Sequence, residues 1–137
     1  MKTKYYSIHR TAVDKDGCSH IVTLVARLQQ RYYWGYQDAE SNILDNGGHP
    51  VIIRTPKKLL ERVVTMGVSV CHPDDEFDEK VGFGIARNRI KDGKTIGTVK
   101  TNDATMLTSD SIESLMDVKL RHICDNIDRY LEFFAKY

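Results

Sequence analysis

Cysteine is scarce, and what there is does not pair: Cys18, Cys71 and Cys124 are odd in number, far apart and free of any C-x-x-C spacing. That argues against a disulfide framework and fits reduced thiols. No apolar run approaches the roughly 20 residues needed to cross a bilayer. The start, Met1-Lys-Thr-Lys-Tyr-Tyr, has no apolar signal-peptide core. The expectation is a cytoplasmic protein with no membrane partner. An excess of charge is missing too. Lysine and arginine number 20 against 19 acids, a formal net charge of +1, too little for the strong field of a non-specific nucleic-acid binder.

At 137 residues, with 41% hydrophobic and 28% charged side chains, the chain fits one α+β domain over residues 1–137. A chain of this size buries roughly two thirds of its unfolded surface, enough for a core. Residues 5–13 and 20–29 are rich in β-formers and flank Asp14-Lys-Asp-Gly17-Cys-Ser, a turn cluster with an Asp-Gly step, which predicts a hairpin. Arg31-Tyr-Tyr-Trp34-Gly-Tyr36 continues as strand. Asn46-Gly-Gly-His-Pro50 reads as a loop delivering another strand at residues 51–54, so the N-terminal third is an antiparallel meander.

Thr55-Pro56 looks like a capped helix start, and Leu59, Leu60, Val63 and Val64 carry helical spacing, with Gly67 placed to end it. Continued strand is the competing reading, because Val63-Val64-Thr65 is β-branched. Residues 94–100 are a short strand candidate. At the C-terminus Asp110 and Glu113 match a capping box, and Ile112, Met116, Leu120, Ile123, Ile127, Leu131 and Phe134 recur every three or four residues. The expectation is a long amphipathic C-terminal helix. Over residues 111–136 it reaches about 39 Å, and that overhang suggests a homo-oligomer built through it.

The most specific stretch is residues 68–91, a strand, a proline-acid turn and a helix. Charge there is sorted: residues 74–80 hold Asp74, Asp75, Glu76, Asp78 and Glu79, whereas Arg87, Arg89, Lys91, Lys94 and Lys100 follow. Carboxylates at a helix start accept its free N–H groups and meet the positive end of its dipole. They would also repel phosphate, and Gly82-Phe-Gly84 lacks the lysine and spacing of a P-loop, so no nucleotide cofactor is expected at that end. Gly82 and Ala86 share a face and permit close approach of a neighbouring backbone. The basic end is the expected anion site, with Arg87, Arg89 and Lys91 for phosphate and Asn88 to read a base edge. Phe77, Phe83 and Trp34 offer stacking surfaces, although alternate aromatics at 32, 34 and 36 also suit the core face of a sheet.

Two resemblances meet in this stretch. His72-Pro73-Asp74-Asp75-Glu76 is similar to the H-P-D-D-E signature of LmbE/PIG-L-type zinc de-N-acetylases. Carried over, that likeness makes His72 and Asp75 zinc ligands and Asp74 the base. Only one histidine, His122, follows, where that family has a second histidine motif.

The wider pattern Cys71-x-Pro73-x-Asp75-x-Phe77-Asp78-x3-Gly82-x2-Ile85-Ala86-x2-Arg89 resembles a motif of small bacteriophage and prophage proteins, among them the phage anti-Thoeris sponge proteins, which sequester cyclic ADP-ribose immune signals. Nine motif positions are met, with Ile90 standing where alanine or leucine is expected. The resemblance implies a non-enzymatic counter-defence protein of the host cytoplasm that binds a small cyclic nucleotide without cleaving it and needs no cofactor or metal. The competing class is an inhibitor that docks on a host defence protein, as anti-CRISPR proteins do.

Overall fold

The computed structural model describes residues 2–41, 51–103 and 105–134. Four antiparallel strands lie side by side in chain order: β1 (Lys2–Val13), β2 (Ser19–Ser41), β3 (Val51–Cys71) and β4 (Gly97–Thr101). Helix α1 (Glu79–Lys91) joins β3 to β4, and α2 (Ser109–Asp125) and α3 (Ile127–Phe134) follow. The architecture is α+β. The loop expected at residues 46–50 lies outside the described residues.

The β1–β2 hairpin turns at the Asp-Gly step. Asp14 Oδ1 accepts the backbone N–H groups of Asp16 and Cys18, each at 2.9 Å, and Gly17 takes the left-handed φ of 81° that the turn requires. Asp14 Oδ2 meets His20 Nε2 at 2.8 Å, tying the turn to the start of β2.

Residues 55–67, expected as helix, are strand. β3 pairs with β2 without interruption from Ser41↔Val51 to Ile21↔Cys71, so the β-branched run at Val63-Val64-Thr65 and its long pairing partner override the local helix-start signal. Pro56 is tolerated because β4 covers only Arg62–Met66 of β3, leaving the proline on a stretch with a free edge.

Strand alternation sorts the sheet into two dressed faces. Val22, Leu24, Ala26 and Leu28 of β2 and Val64, Met66 and Val68 of β3 point to one side, where Ile112, Met116, Leu120 and Ile123 of α2 and Ile127 of α3 cover them. Val25 points to the other side and packs on Ala86 and Ile90 of α1. Burial of each large apolar side chain is worth about 1.5–3 kcal/mol. Helix α1 lies close to the sheet because Gly67 has no side chain: a Cβ there would stand 2.5 Å from the Ala86 carbonyl oxygen.

The long C-terminal helix is broken in two. Thr108, rather than Asp110, caps α2, its Oγ1 accepting the Ser111 N–H at 3.4 Å. At the far end Asn126 leaves helical geometry, and its Nδ2 donates to the His122 carbonyl at 2.9 Å, competing with the helix for that acceptor. The apolar periodicity nonetheless marks the buried stripe correctly, and Ile112 to Ile127 spend it on the chain's own sheet.

Among the described residues the pairing of β1 with β2 ends at Lys2↔Gln30 and that of β4 with β3 at Arg62↔Thr101. From Arg31↔Glu61 onward β2 and β3 form a bare two-stranded arm, about 33 Å long at the usual rise per residue. An ion pair between Arg31 Nη2 and Glu61 Oε2 at 2.6 Å marks its root.

Candidate functional site

The head of α1 is built by the turn the sequence singles out. Asp75 N–H donates to the His72 carbonyl at 3.0 Å, the Cys71 thiol leans on the Asp75 carbonyl at 3.7 Å, and Asp78 Oδ1 accepts the N–H groups of Lys80 at 2.9 Å and Val81 at 3.4 Å. Asp78 is thus the cap. Asp74, Asp75 and Glu76 stand before the helix with their carboxylates exposed.

Between this turn, α1 and the sheet lies a cavity of about 430 Å³, lined among others by Thr23, Ser69, Cys71, Asp75, Glu76, Phe77, Gly82 and Ile85. That size is within the ordinary range for small-molecule sites. Phe77 forms one wall, its ring 5.2 Å from that of His9. On the sheet side Ser69 Oγ donates to the Gly82 carbonyl at 2.8 Å. Thr23 is 1% exposed and its Oγ1 has no hydrogen-bond partner. A buried hydroxyl left unpaired is costly, and Thr23 is one of the residues that line the cavity. Gly82 is required at this place, since a Cβ would come 2.8 Å from Thr23 Oγ1.

The basic end of α1 is arranged differently from expectation. Arg89 is half-buried; its Nη1 donates to the Val68 carbonyl at 2.7 Å, and burial pushes its pKa below the usual arginine value. Phe83 is held edge-on by Tyr5, with ring centroids 5.9 Å apart, and covered by the Arg87 guanidinium at 5.5 Å, so it is packed rather than open for stacking. Arg87 Nε is buried without a hydrogen-bond partner, while Asn88 and Lys91 are exposed. Lys80, Arg87 and Lys91 fall on one face of the helix at helical spacing, with the uncharged Gly84 between the first two. Trp34 is not part of this neighbourhood: it sits on the arm, about 30 Å along β2 from Val25, which α1 covers. Its expected core role does not hold either, because Tyr32, Trp34 and Tyr36 are exposed.

For the zinc reading, His72 Nδ1 lies 3.6 Å from Asp74 Oδ2, and among the described residues no group of three or more His, Cys, Asp or Glu side chains is placed to hold a metal ion. Among the described residues no helix is long and apolar enough to cross a membrane.

Sequence reasoning missed a second cavity on the α2 side of the sheet, about 610 Å³, lined by Lys2, Lys4, Tyr6, Arg62 and Ser109 among others, with no carboxylate in its lining. Arg62 Nη1 donates to the Met106 carbonyl at 3.0 Å, and Tyr6 Oη meets Ser109 Oγ at 3.0 Å. The one signal in the sequence is the alternation Lys2, Lys4, Tyr6, which puts three polar side chains on one face of β1. Arg62 joins them only through the strand register.

No protein family, curated protein or solved structure matches the chain. The resemblance to phage sponge proteins therefore rests on the motif positions alone, several of which, Cys71, Asp75, Phe77, Asp78, Gly82 and Ile85, line the cavity at the head of α1.

Proposed function

We propose that the chain is a non-enzymatic phage counter-defence protein that sequesters a small nucleotide-derived immune signal of the cyclic ADP-ribose kind in the cavity at the head of α1. The observation that carries the reading is the unpartnered, buried hydroxyl of Thr23 in a cavity that Thr23 lines together with Phe77 and other motif residues. A base stacks on Phe77, a contact worth about 1–3 kcal/mol. Sugar hydroxyls donate to the Asp75 and Glu76 carboxylates, and Thr23 completes the set. The acids repel phosphate, so the phosphates lie outside the mouth, toward the stripe of Lys80, Arg87 and Lys91.

A second placement of the same ligand is favoured by charge: the Lys2, Lys4 and Arg62 cavity offers three cations and the Tyr6 ring. Calorimetry against a panel of cyclic nucleotides, followed by recovery of the ligand intact after denaturation, tests the function. Loss of binding in Phe77→Ala assigns the first cavity, and loss in Arg62→Gln the second. No binding by any member of the panel overturns the reading.

A further inference from the structure

The arm is the least protected part of the sheet. Over residues 31–38 and 52–61 it is two strands wide, with no other described strand paired to either edge, and a lone two-stranded ribbon is marginal in water. It nevertheless carries the most exposed aromatics among the described residues, Trp34 at 76%, Tyr36 at 71% and Tyr32 at 61%. Alternation places all three on one face, and the register puts Leu60 opposite Tyr32, Lys58 opposite Trp34 and Pro56 opposite Tyr36. Lys58 Nζ lies over the Tyr32 ring at 4.7 Å, so the patch is a continuous amphipathic surface.

From this pattern we infer that the arm is a self-association surface, and that a second copy of the chain covers the Tyr32–Trp34–Tyr36 face. Three observations select that occupant. First, the patch is nearly symmetric about Trp34 and Lys58: an aromatic and an apolar residue stand on either side of the centre. A two-fold axis there lays Tyr32 of one copy against Tyr36 of the other and Leu60 against Pro56, the self-complementarity that a two-fold interface requires. Second, the aromatic face carries only two cations, Arg54 paired with Asp38 at 3.4 Å and Lys58 over the Tyr32 ring, while Arg31, Lys57 and Glu61 lie on the other face, so the patch itself holds a surplus of a single positive charge with which to attract a nucleic-acid backbone. Third, the three aromatics alone expose roughly 450 Å² per copy, which brings a pair near the ~1,000 Å² expected of a specific interface before the flanking Leu60, Lys58 and Pro56 are counted. Tyrosine and tryptophan are also the residues that dominate interface energetics. This inference stands apart from the ligand reading, which concerns the other end of the sheet.

Trp34 is the chain's sole tryptophan, so its emission reports on this patch alone. The test is a dilution series of the full chain from about 100 µM to 1 µM, read by sedimentation equilibrium and by Trp34 fluorescence with acrylamide quenching. The expected result is a dimer at the high end whose dissociation red-shifts the emission and raises quenching in step with the loss of mass. Trp34→Lys, an exposed site whose change leaves circular dichroism intact, removes the central aromatic and adds two like charges beside the pair of Lys58 side chains already at the axis, and so weakens the dimer at least tenfold. Lys57→Glu, on the opposite face of the arm beside Gly35, leaves it unchanged. A monomer across the whole range overturns the inference, as does a dimer that Trp34→Lys leaves intact or that Lys57→Glu disrupts equally. A Trp34 shift that appears only on adding a dT20 oligonucleotide also overturns it, in favour of single-stranded nucleic acid.

Discussion

Arg89 Nη1 donates to the carbonyl oxygen of Val68 at 2.7 Å, and two residues earlier the Met66 carbonyl accepts the Ile96 N–H at 2.9 Å. Carbonyls two apart on a strand face the same edge. The guanidinium thus takes over the edge of β3 where β4 stops, and it fastens α1 to the sheet. Arg89→Met keeps much of the stem but removes the donor, leaving a carbonyl short of a partner. The expected loss is about 2 kcal/mol of unfolding free energy, measured by urea titration, with no change in ligand affinity. A direct phosphate role predicts the reverse, an affinity loss at constant stability.

Thr23→Val tests the cavity without disturbing its shape. The substitution removes a buried hydroxyl that has no partner in the free protein, so stability stays constant or rises by up to about 1 kcal/mol. Ligand affinity falls about tenfold if the hydroxyl is satisfied on binding. Thermal melting with and without ligand reads both effects, because the ligand-induced rise in Tm shrinks while the free Tm holds.

Gly67→Ala strikes the contact between β3 and α1. The added Cβ would stand 2.5 Å from a backbone oxygen of Ala86 and 2.7 Å from the Ile90 side chain, and a helix backbone cannot yield as a flexible side chain does. The expected cost is about 3 kcal/mol, checked by chemical denaturation, whereas Gly84→Ala, where a Cβ meets nothing within 4 Å, costs nothing and gains helix propensity.

The hairpin turn carries an acid-sensitive element. The hydrogen bond from His20, together with the N–H groups of Cys18 and Asp16, holds the Asp14 carboxyl below the usual aspartate range. A carboxyl whose folded pKa is depressed adds stability above its unfolded value, near 3.9, and loses it as pH falls through the lower folded value. Asp14→Asn is therefore less stable than the parent at pH 7, and the gap between their melting temperatures closes below about pH 4. A gap that persists unchanged into acid contradicts this assignment.

Patterns confined to neighbouring residues were legible in the sequence. The Asp-Gly hairpin, the carboxylate cap of α1 and the buried stripe from Ile112 to Ile127 all stand where their local signals put them. Residues 55–67 did not yield, because Thr55-Pro56 carries a genuine helix-start signal that loses only once β2 supplies a partner of equal length. Asn126 hid the break in the C-terminal helix, since an asparagine within a continuous apolar period does not announce that its side chain will take the His122 carbonyl. The site was half visible. Phe77 was named as a stacking surface, whereas Asp75 and Glu76 were read as acids of the helix start; Thr23 and Ser69 reach the cavity through strand register, and the bond from Arg89 to Val68 spans 21 residues of sequence that no local pattern reports.

The most direct test of the central claim is titration calorimetry of the full chain with cyclic ADP-ribose isomers, paired with mass spectrometry of the ligand released on denaturation. The expected result is saturable binding at one site per chain, a ligand of unchanged mass, and an affinity lowered about 10- to 100-fold by Phe77→Ala and about tenfold by Thr23→Val. Absence of binding by every isomer, or recovery of a cleaved product, contradicts it.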